Sequence, residues 1–388
     1  MQFNIETFGC KVNQYESEKI AENLVAAGFI QVTSELATVI VINSCMVTEI
    51  AENKVKKHIS KLKRQGKYVA LTGCMANKGV LTQADISLKN TDIVEYLTEH
   101  FKDKAEIGNI THGTKKKTRK FIKIQDGCNR FCSYCIIPYA RNKMFSKPLE
   151  DILKEVKEAA NNGYKEIVLI GINIGAYNGG IHTVIEKCAE IEGIERIRLG
   201  SLEPDLFTDI ERLSKIPKLC PHFHLSLQSG SNRILSLMNR HYTSEDFSEL
   251  VENLRKYFPD CSITTDIIVG FPTETETEFL ETVEFAKKVK FSKIHVFPYS
   301  KRSGTAAAEM EQVDEKIKAQ RADILKSVSA ELEQQFYNSQ IGKTYPVLFE
   351  REKDNNFHIG HTPNFLTIKI PNIEKKSFQG KILLTTVK

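Results

Sequence analysis

Short apolar runs alternate with longer amphipathic stretches along the first third of the chain. FNIET precedes helical spacing from Ser17 to Ala27, TVIVI precedes a helical stretch from Ile50 to Gln65, and YVALT follows. Brief β-branched runs between helices predict buried strands of an α/β sheet. From Phe121 the same rhythm returns six times, in FIKI, EIVLI from Glu166, RIRLG from Arg196, FHLSL from Phe223, ITTDIIV from Ile263 and KIHVF from Lys293. The intervening segments, such as Leu149 to Asn162 and Ser244 to Tyr257, carry amphipathic helix patterns. Six strand-helix units in roughly 210 residues fall short of the ~250 of a complete eight-unit barrel, so a partial (β/α)6 barrel is expected. A charged helical stretch from Asp314 to Phe336 leads into TYPVLFE, FLTIKIP and GKILLTTV, strand candidates separated by polar turns that predict a small β-barrel. The expected fold class is therefore α/β multidomain: an N-terminal α/β sheet domain (1–114), a basic linker (115–123), a central partial barrel (124–337) and a C-terminal small β-barrel (338–388).

The 388 residues are 41% hydrophobic and 27% charged, the balance of a folded globular chain, which excludes a disordered or fibrous protein. The longest apolar runs are too short to span a bilayer, and the first ten residues show no basic stretch followed by an apolar one, so a cytoplasmic protein without membrane association is expected. The net charge of +5 is unevenly placed. Residues 1–114 carry 13 basic and 13 acidic groups, whereas KKKTRKFIK (115–123) carries six basic and no acidic ones, and 338–388 carries 8 basic against 4 acidic. Basic segments on a near-neutral body suit phosphate contacts with a nucleic acid, although a solvated loop and a soluble tail have the same composition.

Nine cysteines in a long chain direct attention to metal binding before disulfides. Cys10 (FGCKVNQ), Cys45 (INSCMVT) and Cys74 (TGCMANK) each stand just past the carboxyl end of an expected strand. In an open α/β sheet those ends share one edge, where ligands bind, so the three thiols are expected to converge; three separate buried cysteines are the alternative. The sharpest pattern is GCNRFCSYC, with Cys128, Cys132 and Cys135 spaced four and three apart. Structural zinc sites want four ligands, and no close fourth Cys or His completes this set. Three thiolates on a four-iron cluster leave one iron open to chelate a small molecule and pass it an electron.

The C-x3-C-x2-C spacing at the end of a partial barrel's first strand resembles the radical S-adenosylmethionine (SAM) superfamily. The upstream Cys10, Cys45 and Cys74 resemble the auxiliary-cluster ligands of its methylthiotransferases, and the trailing β module resembles their RNA-binding TRAM domain. FGCKVNQYES, INSCMVT, HLSLQSGSNRILSLMNRHYT, TTDIIVGFPTETE and HVFPYSKRSGT are most similar to the members acting on N6-threonylcarbamoyladenosine at position 37 of tRNA. The resemblance implies two [4Fe-4S] clusters, one on Cys128, Cys132 and Cys135 and one on Cys10, Cys45 and Cys74. It also implies two uses of SAM, one as a methyl donor and one as a source of a 5′-deoxyadenosyl radical that takes hydrogen from C2 of adenine, where a methylthio group is installed. An aromatic C–H is neither acidic nor nucleophilic at neutral pH, so acid-base side chains alone have little purchase on it. No catalytic side chain is expected beyond the cluster ligands. The implied partners are the tRNA anticodon stem-loop, an electron donor and a sulfur donor, with the protein a monomer.

The resemblance further implies a SAM pocket at the strand ends. Tyr134 matches the position whose backbone meets the SAM adenine. Gly171 and Asn173 (GINIG) stand where the superfamily's glycine-rich motif binds the methionine amine, although the usual Gly-Gly-Glu is absent and an ordinary turn fits as well. Glu203, Gln228 and Arg240 follow the third and fourth strands, the arginine suiting a carboxylate by bidentate pairing. Cys188, Cys220 and Cys261 lack partner spacing and are expected to be structural. His222 and His224 share a strand face, which strand polarity explains without a metal. Asn13 and Gln14 either contact substrate or cap the helix that follows. The same methylthiolation on isopentenyladenosine or on a ribosomal-protein aspartate, and a non-catalytic iron-sulfur RNA-binding sensor, are the competing functions.

Overall fold

A computed structural model describes residues 1–102, 117–141, 143–350, 356–372 and 377–388. Residues 103–114 of the expected N-terminal domain and 115–116 of the basic run lie outside the described residues. The chain divides into two compact units, one of Met1–Lys116, Gly127–Met144 and Ser300–Thr305, the other of Lys117–Asp126, Phe145–Tyr299 and Ala306–Lys388.

The first unit is built on five parallel strands. Its elements run β1 (Gln2–Thr7), α1 (Lys11–Ala26), β2 (Ile30–Gln31), β3 (Val39–Ser44), α2 (Glu49–Arg64), β4 (Tyr68–Gly73), α3 (Cys74–Asn77), β5 (Ile86–Ser87) and α4 (Ile93–His100), with sheet order β2-β1-β3-β4-β5. The fully buried β3, VIVINS, explains the layering. Val39 and Val41 pack with Leu24 of α1 and Leu97 of α4 on one face, while Ile40 and Ile42 pack with Val55, Ile59 and Leu62 of α2 on the other. Continuous β-branched residues thus serve a sheet covered on both sides. Thr48 caps α2 by accepting from the Ala51 amide, and Glu49 and Glu52 in its first turn with Lys61, Lys63 and Arg64 in its last complement the helix dipole. The segment Gly127–Met144 carries the short helix α5 (Ile137–Ala140), whose Ile136 and Ala140 join the same core as Cys74 and Met75.

In the second unit the six expected strands are all present. They are β6 (Arg119–Lys123), β9 (Glu166–Ile170), β10 (Arg196–Leu199) with β11 (Ser201–Leu202), β12 (His222–Leu225), β13 (Ser262–Val269) and β14 (Lys293–Pro298); β7 (Gln125–Asp126) and β8 (Phe145–Ser146) form a small antiparallel pair. Gly200 interrupts the third strand, so the parallel strands run as β6-β9-β10 and β11-β12-β13-β14. Between them lie α6 (Leu149–Asn161), α7 (Ile181–Ala189), α8 (Ile210–Ser214), α9 (Asn232–Leu237), α10 (Ser244–Tyr257) and α11 (Glu276–Val289), followed by α12 (Glu315–Gln340). Thr243 with Asp246 and Thr275 with Glu278 form capping boxes that start α10 and α11. One apolar core, including Ile122, Leu169, Phe223, Ile267, Phe279 and Leu325, joins strands to helices. Of the basic run, residues 119–123 are β6 itself, so part of that charge is used inside the fold.

The final segment forms β15 (Thr344–Phe349), β16 (Phe357–His361), β17 (Thr367–Pro371) and β18 (Ile382–Thr386), a four-stranded antiparallel sheet in the order β17-β16-β15-β18. It docks on the barrel where the strands begin. Glu166, fully buried, is ringed by Arg119 (Nε–Oε1 2.6 Å), Arg198 (Nε–Oε1 2.9 Å) and Arg196 (Nη1–Oε2 3.3 Å). Those arginines reach onward: Arg119 pairs with Glu350, Arg196 donates to the His361 carbonyl at 3.1 Å, and Arg198 donates to the Pro363 carbonyl at 2.9 Å. Phe365 stacks on His222 and His361 and receives the Arg198 guanidinium 4.6 Å from its ring centre. Among the described residues no helix is long and apolar enough to cross a membrane.

Candidate cofactor sites

Cys10, Cys45 and Cys74 stand at the carboxyl ends of β1, β3 and β4, three neighbours in the sheet. Cys10 occupies the N-cap of α1 and is exposed; Cys45 and Cys74 are buried. The approach is close enough to dictate a glycine. At Gly9, with φ +117°, a Cβ would lie 2.9 Å from Cys45 Cβ and 3.3 Å from its Sγ. Gly73, at φ +83°, is packed against Ser44 in the same way, 2.7 Å from its amide nitrogen. Burial pushes the Cys45 thiol up, and Cys10 adds to the effect. Burial also raises Cys74, against the pull of Arg141, while Cys45 and Cys10 raise it further. Their places at the ends of adjacent parallel strands bring the three cysteines to one edge of the sheet.

Arg141 completes this edge. Its guanidinium makes a bidentate pair with Glu16 of α1, 2.7 Å at each oxygen, donates to Asn13 Oδ1 at 3.1 Å, and sends Nε toward Cys74 Sγ at 3.4 Å. Asn13 is itself locked, its amide nitrogen donating to the carbonyls of Phe8 (2.9 Å) and Ser44 (2.8 Å). Cys10 Sγ lies 3.7 Å from Asn13 Oδ1. Three thiols at one sheet edge beside a buried cation suit an iron-sulfur cluster, since thiolate ligation concentrates negative charge that a guanidinium offsets. Neither Arg141 nor Glu16 stands out in the sequence; the clue available was a polar run, KVNQYE, on a helix whose Asn13 and Glu16 prove to be buried.

Cys128, Cys132 and Cys135 share one loop of the same unit. Gly127 enters it at φ +73°, where a Cβ would meet the Lys143 carbonyl oxygen at 2.2 Å. Phe131 takes the left-handed conformation at φ 47°, and the Cys135 amide donates to the Cys132 carbonyl at 2.9 Å, so the chain coils back on itself between the thiols. Cys132 is buried, Cys128 and Cys135 are half-exposed, and Tyr134 is half-buried within the loop.

The other residues expected around SAM lie in the second unit, past the carboxyl ends of the strands. Gly171 has no space for a Cβ, which would fall 2.8 Å from Ile174 Cγ2 and 2.9 Å from the Gln125 carbonyl oxygen. Asn173 donates its backbone amide to Gln125 Oε1 at 2.7 Å, yet the residue is 2% exposed and neither side-chain amide atom has a protein partner. A buried amide left open in this way fits a polar ligand. Arg240 is nearly fully buried and pairs with Glu203, donates to the Ser226 carbonyl at 3.2 Å and meets Tyr242 Oη at 2.9 Å. The structure thus brings Glu203 and Arg240 together, and the guanidinium that would receive a ligand carboxylate is already oriented by a protein one. Gln228 is left-handed at φ 70°, and its backbone bridges to β13 through Asp266 O and Ile268 N, each at 2.9 Å. Cys188, Cys220 and Cys261 are buried, with thiols that burial raises to about 12, about 11 and about 11.

Residues 122–286 match the radical SAM superfamily, and residues 2–94 match uncharacterized protein family UPF0004. The threonylcarbamoyladenosine tRNA methylthiotransferase MtaB of Bacillus subtilis is 36% identical, over 97% of this chain and 91% of its own. MtaB of Thermotoga maritima is 38% identical over 89% and 86%. A tRNA-2-methylthio-N(6)-dimethylallyladenosine synthase of Lachnoclostridium phytofermentans is 36% identical over 94% and 88%. Among solved structures, the radical SAM methyltransferase TsrM of Kitasatospora setae, with cobalamin and a [4Fe-4S] cluster bound, superposes with a TM-score of 0.57 at 12% identity, covering 79% of this chain and 77% of that one. That likeness establishes the radical SAM α/β fold. With its two cysteine sets and similarity to named enzymes over most of the chain, the protein belongs to the radical SAM tRNA methylthiotransferases, enzymes that work with SAM and [4Fe-4S] clusters.

Proposed function

We propose that this enzyme methylthiolates C2 of N6-threonylcarbamoyladenosine at position 37 of tRNA. The observation that carries the reading is the edge formed by Cys10, Cys45 and Cys74 with Arg141, in a chain similar along most of its length to MtaB. Cys128, Cys132 and Cys135 hold one [4Fe-4S] cluster, and Cys10, Cys45 and Cys74 the other. Bound clusters and SAM supply the hydrogen abstraction, sulfur and methyl group that side chains lack. The protein's part is positioning. A SAM-binding role is assigned to Tyr134 in the first unit and to Gly171, Asn173, Glu203, Gln228 and Arg240 in the second, where the Asn173 amide is open to a ligand and Arg240 is held by Glu203 for a carboxylate. Arg141 keeps the auxiliary edge in place and offsets thiolate charge.

The domain division at 1–114, 115–123, 124–337 and 338–388 is retained as a functional one. Its last segment is a TRAM-like RNA-binding module, supported by its antiparallel sheet and by exposed Lys369, which caps the Phe357 ring at 3.9 Å and leaves its charge to solvent. The enzyme acts as a cytoplasmic monomer served by an electron donor and a sulfur donor. A second substrate is favoured by one observation, that dimethylallyladenosine synthases are as similar as MtaB. The test is anaerobic: cluster-loaded protein, SAM, reductant and tRNA bearing either adenosine, followed by digestion and mass spectrometry. A methylthio group on threonylcarbamoyladenosine alone is expected; one on the isopentenyl nucleoside alone refutes the substrate assignment, and SAM cleavage with neither product refutes both.

A further inference from the structure

The parallel register of β12, β13 and β14 collects three metal-ligating side chains that lie outside both cysteine sets. His224 is paired with Thr264, and Asp266 with His295, as direct cross-strand partners. Because strand side chains alternate, His224, Thr264, Asp266 and His295 fall on one face. Their neighbours Phe223, Leu225, Ile263, Ile267 and Ile294 belong to the apolar core that the helices cover, so the four polar residues line the opposite, inner face of the partial barrel. One ligand atom from each of His224, Asp266 and His295 lies within 4.8 Å of the other two.

We infer that His224, Asp266 and His295 form a binding site for a divalent transition-metal ion. Two imidazoles and one carboxylate are the donor set of sites that take manganese, iron or zinc and leave coordination positions open for an outside ligand. The orientation of His224 fits ligation. Its Nδ1 is 2.9 Å from Thr264 Oγ1, which leaves Nε2 facing Asp266 Oδ2 at 3.2 Å. A hydroxyl on the far nitrogen is the outer partner that fixes the tautomer of a metal-bound histidine. An ordinary ion pair would need one imidazole. Here a second, His295, turns its ring to 5.7 Å from the first, toward the same carboxylate. None of the three is a cysteine ligand, and the hard carboxylate with imidazole nitrogens separates this site chemically from the thiolate ones.

The test uses Mn2+ with the full-length, cluster-loaded protein under anaerobic conditions, because manganese competes poorly for thiolates. Depletion of the free Mn2+ electron paramagnetic resonance signal should give one bound ion per chain, with nitrogen modulation from imidazole in its pulsed spectrum. His295→Ala, at an exposed position, and Asp266→Asn should each weaken binding at least tenfold while iron and sulfide contents hold at wild-type values. Thr264→Val, which retains all three ligands, should weaken it about 10-fold to 100-fold. Absence of uptake at millimolar Mn2+, uptake unchanged in His295→Ala and Asp266→Asn, or bound Mn2+ without nitrogen modulation would each overturn the assignment.

Discussion

Removing Glu16 should damage the N-terminal unit more than any surface charge could. The Glu16 and Arg141 side chains are 8% and 4% exposed, and the guanidinium holds two 2.7 Å bonds to the carboxylate. Glu16→Ala leaves that cation buried beside Asn13 and Cys74 with its main partner gone, and breaking a buried pair from one side costs about 3–5 kcal/mol. A domain is stable by roughly 5–15 kcal/mol, so this is a large share. With a urea slope of about 1–3 kcal/mol per molar, the midpoint should fall by ~2 M. Arg141→Met should cost a similar amount, since it strands the carboxylate. Glu16→Leu with Arg141→Met should cost clearly less than the sum of the single changes, because both charges leave together. The assay is urea titration under reductant, read by hydrogen exchange in peptides covering 39–44, so that this unit is followed by itself. A midpoint shift below about 0.5 M for Glu16→Ala, or additive single and double variants, would refute the view that the pair is buried and mutually dependent.

Asn173→Ala removes a buried amide without a protein partner, so unfolding free energy should hold or rise, by about 1–3 kcal/mol at most, while SAM affinity measured by calorimetry falls about tenfold; a destabilised protein with unchanged SAM affinity would contradict this. Gly9→Ala places a Cβ against Cys45 at φ +117°, and should cost about 1–3 kcal/mol and lower iron content at the auxiliary site, leaving the other cluster's iron in place. Acid should loosen the join between barrel and C-terminal sheet. Burial raises Glu166, but Arg198, Arg119 and Arg196 outweigh it and hold the carboxyl at about 2; His361 and Arg119, against burial, hold Glu350 at about 2. Both folded values lie below the unfolded ones, so the stabilisation is complete above about pH 4.5 and is lost as pH falls toward 2. Tyrosine fluorescence and hydrogen exchange across 357–371 should show release within that window, and release beginning near neutrality would disprove it.

The sequence exposed the repeating architecture because strands buried on both faces cannot hide their β-branched runs; β3, β9 and β13 fall where VIVI, EIVLI and ITTDIIV stand. It concealed whatever depends on distant partners. Helix α1 begins at Lys11, well before Ser17, and the polar Asn13 and Glu16 of its first turns are buried with Arg141 as their partner, 125 residues away in sequence from Glu16. The strand β16 escaped notice because His358, Gly360 and His361 break the alternation, although Gly360 is there because a Cβ would fall 2.6 Å from Val347 Cγ1. Of the inner-face trio, only His224 drew notice, in the pair His222 and His224 that strand polarity explained without a metal; Asp266 and His295 join it only through the register of β12, β13 and β14. Cysteine positions were legible because strand ends are legible, whereas Arg141 carries no local signal at all.

The docking of the C-terminal sheet changes how the RNA-binding role proposed for it must be tested. Three arginines around one buried glutamate leave the barrel's lower face with an excess of two positive charges, and the sheet offsets it with Glu350 and the carbonyls of His361, Thr362 and Pro363. Deleting 338–388 would strip those partners and uncover Phe365's stacking sites, so weakened tRNA binding after deletion would report a disturbed barrel as readily as a lost RNA contact. Charge reversal at exposed positions avoids this. Lys369 and Lys381 are solvent-facing and hold no ion pair among the described residues, so Lys369→Glu and Lys381→Glu leave the arginine cluster intact. If these lysines meet phosphates, each change should weaken tRNA binding and reduce the slope of log affinity against log salt by ~0.7–0.9. Fluorescence anisotropy with an anticodon stem-loop across a salt series measures that slope, and unchanged slopes in both variants, with the fold intact by circular dichroism, would move the RNA grip to another surface.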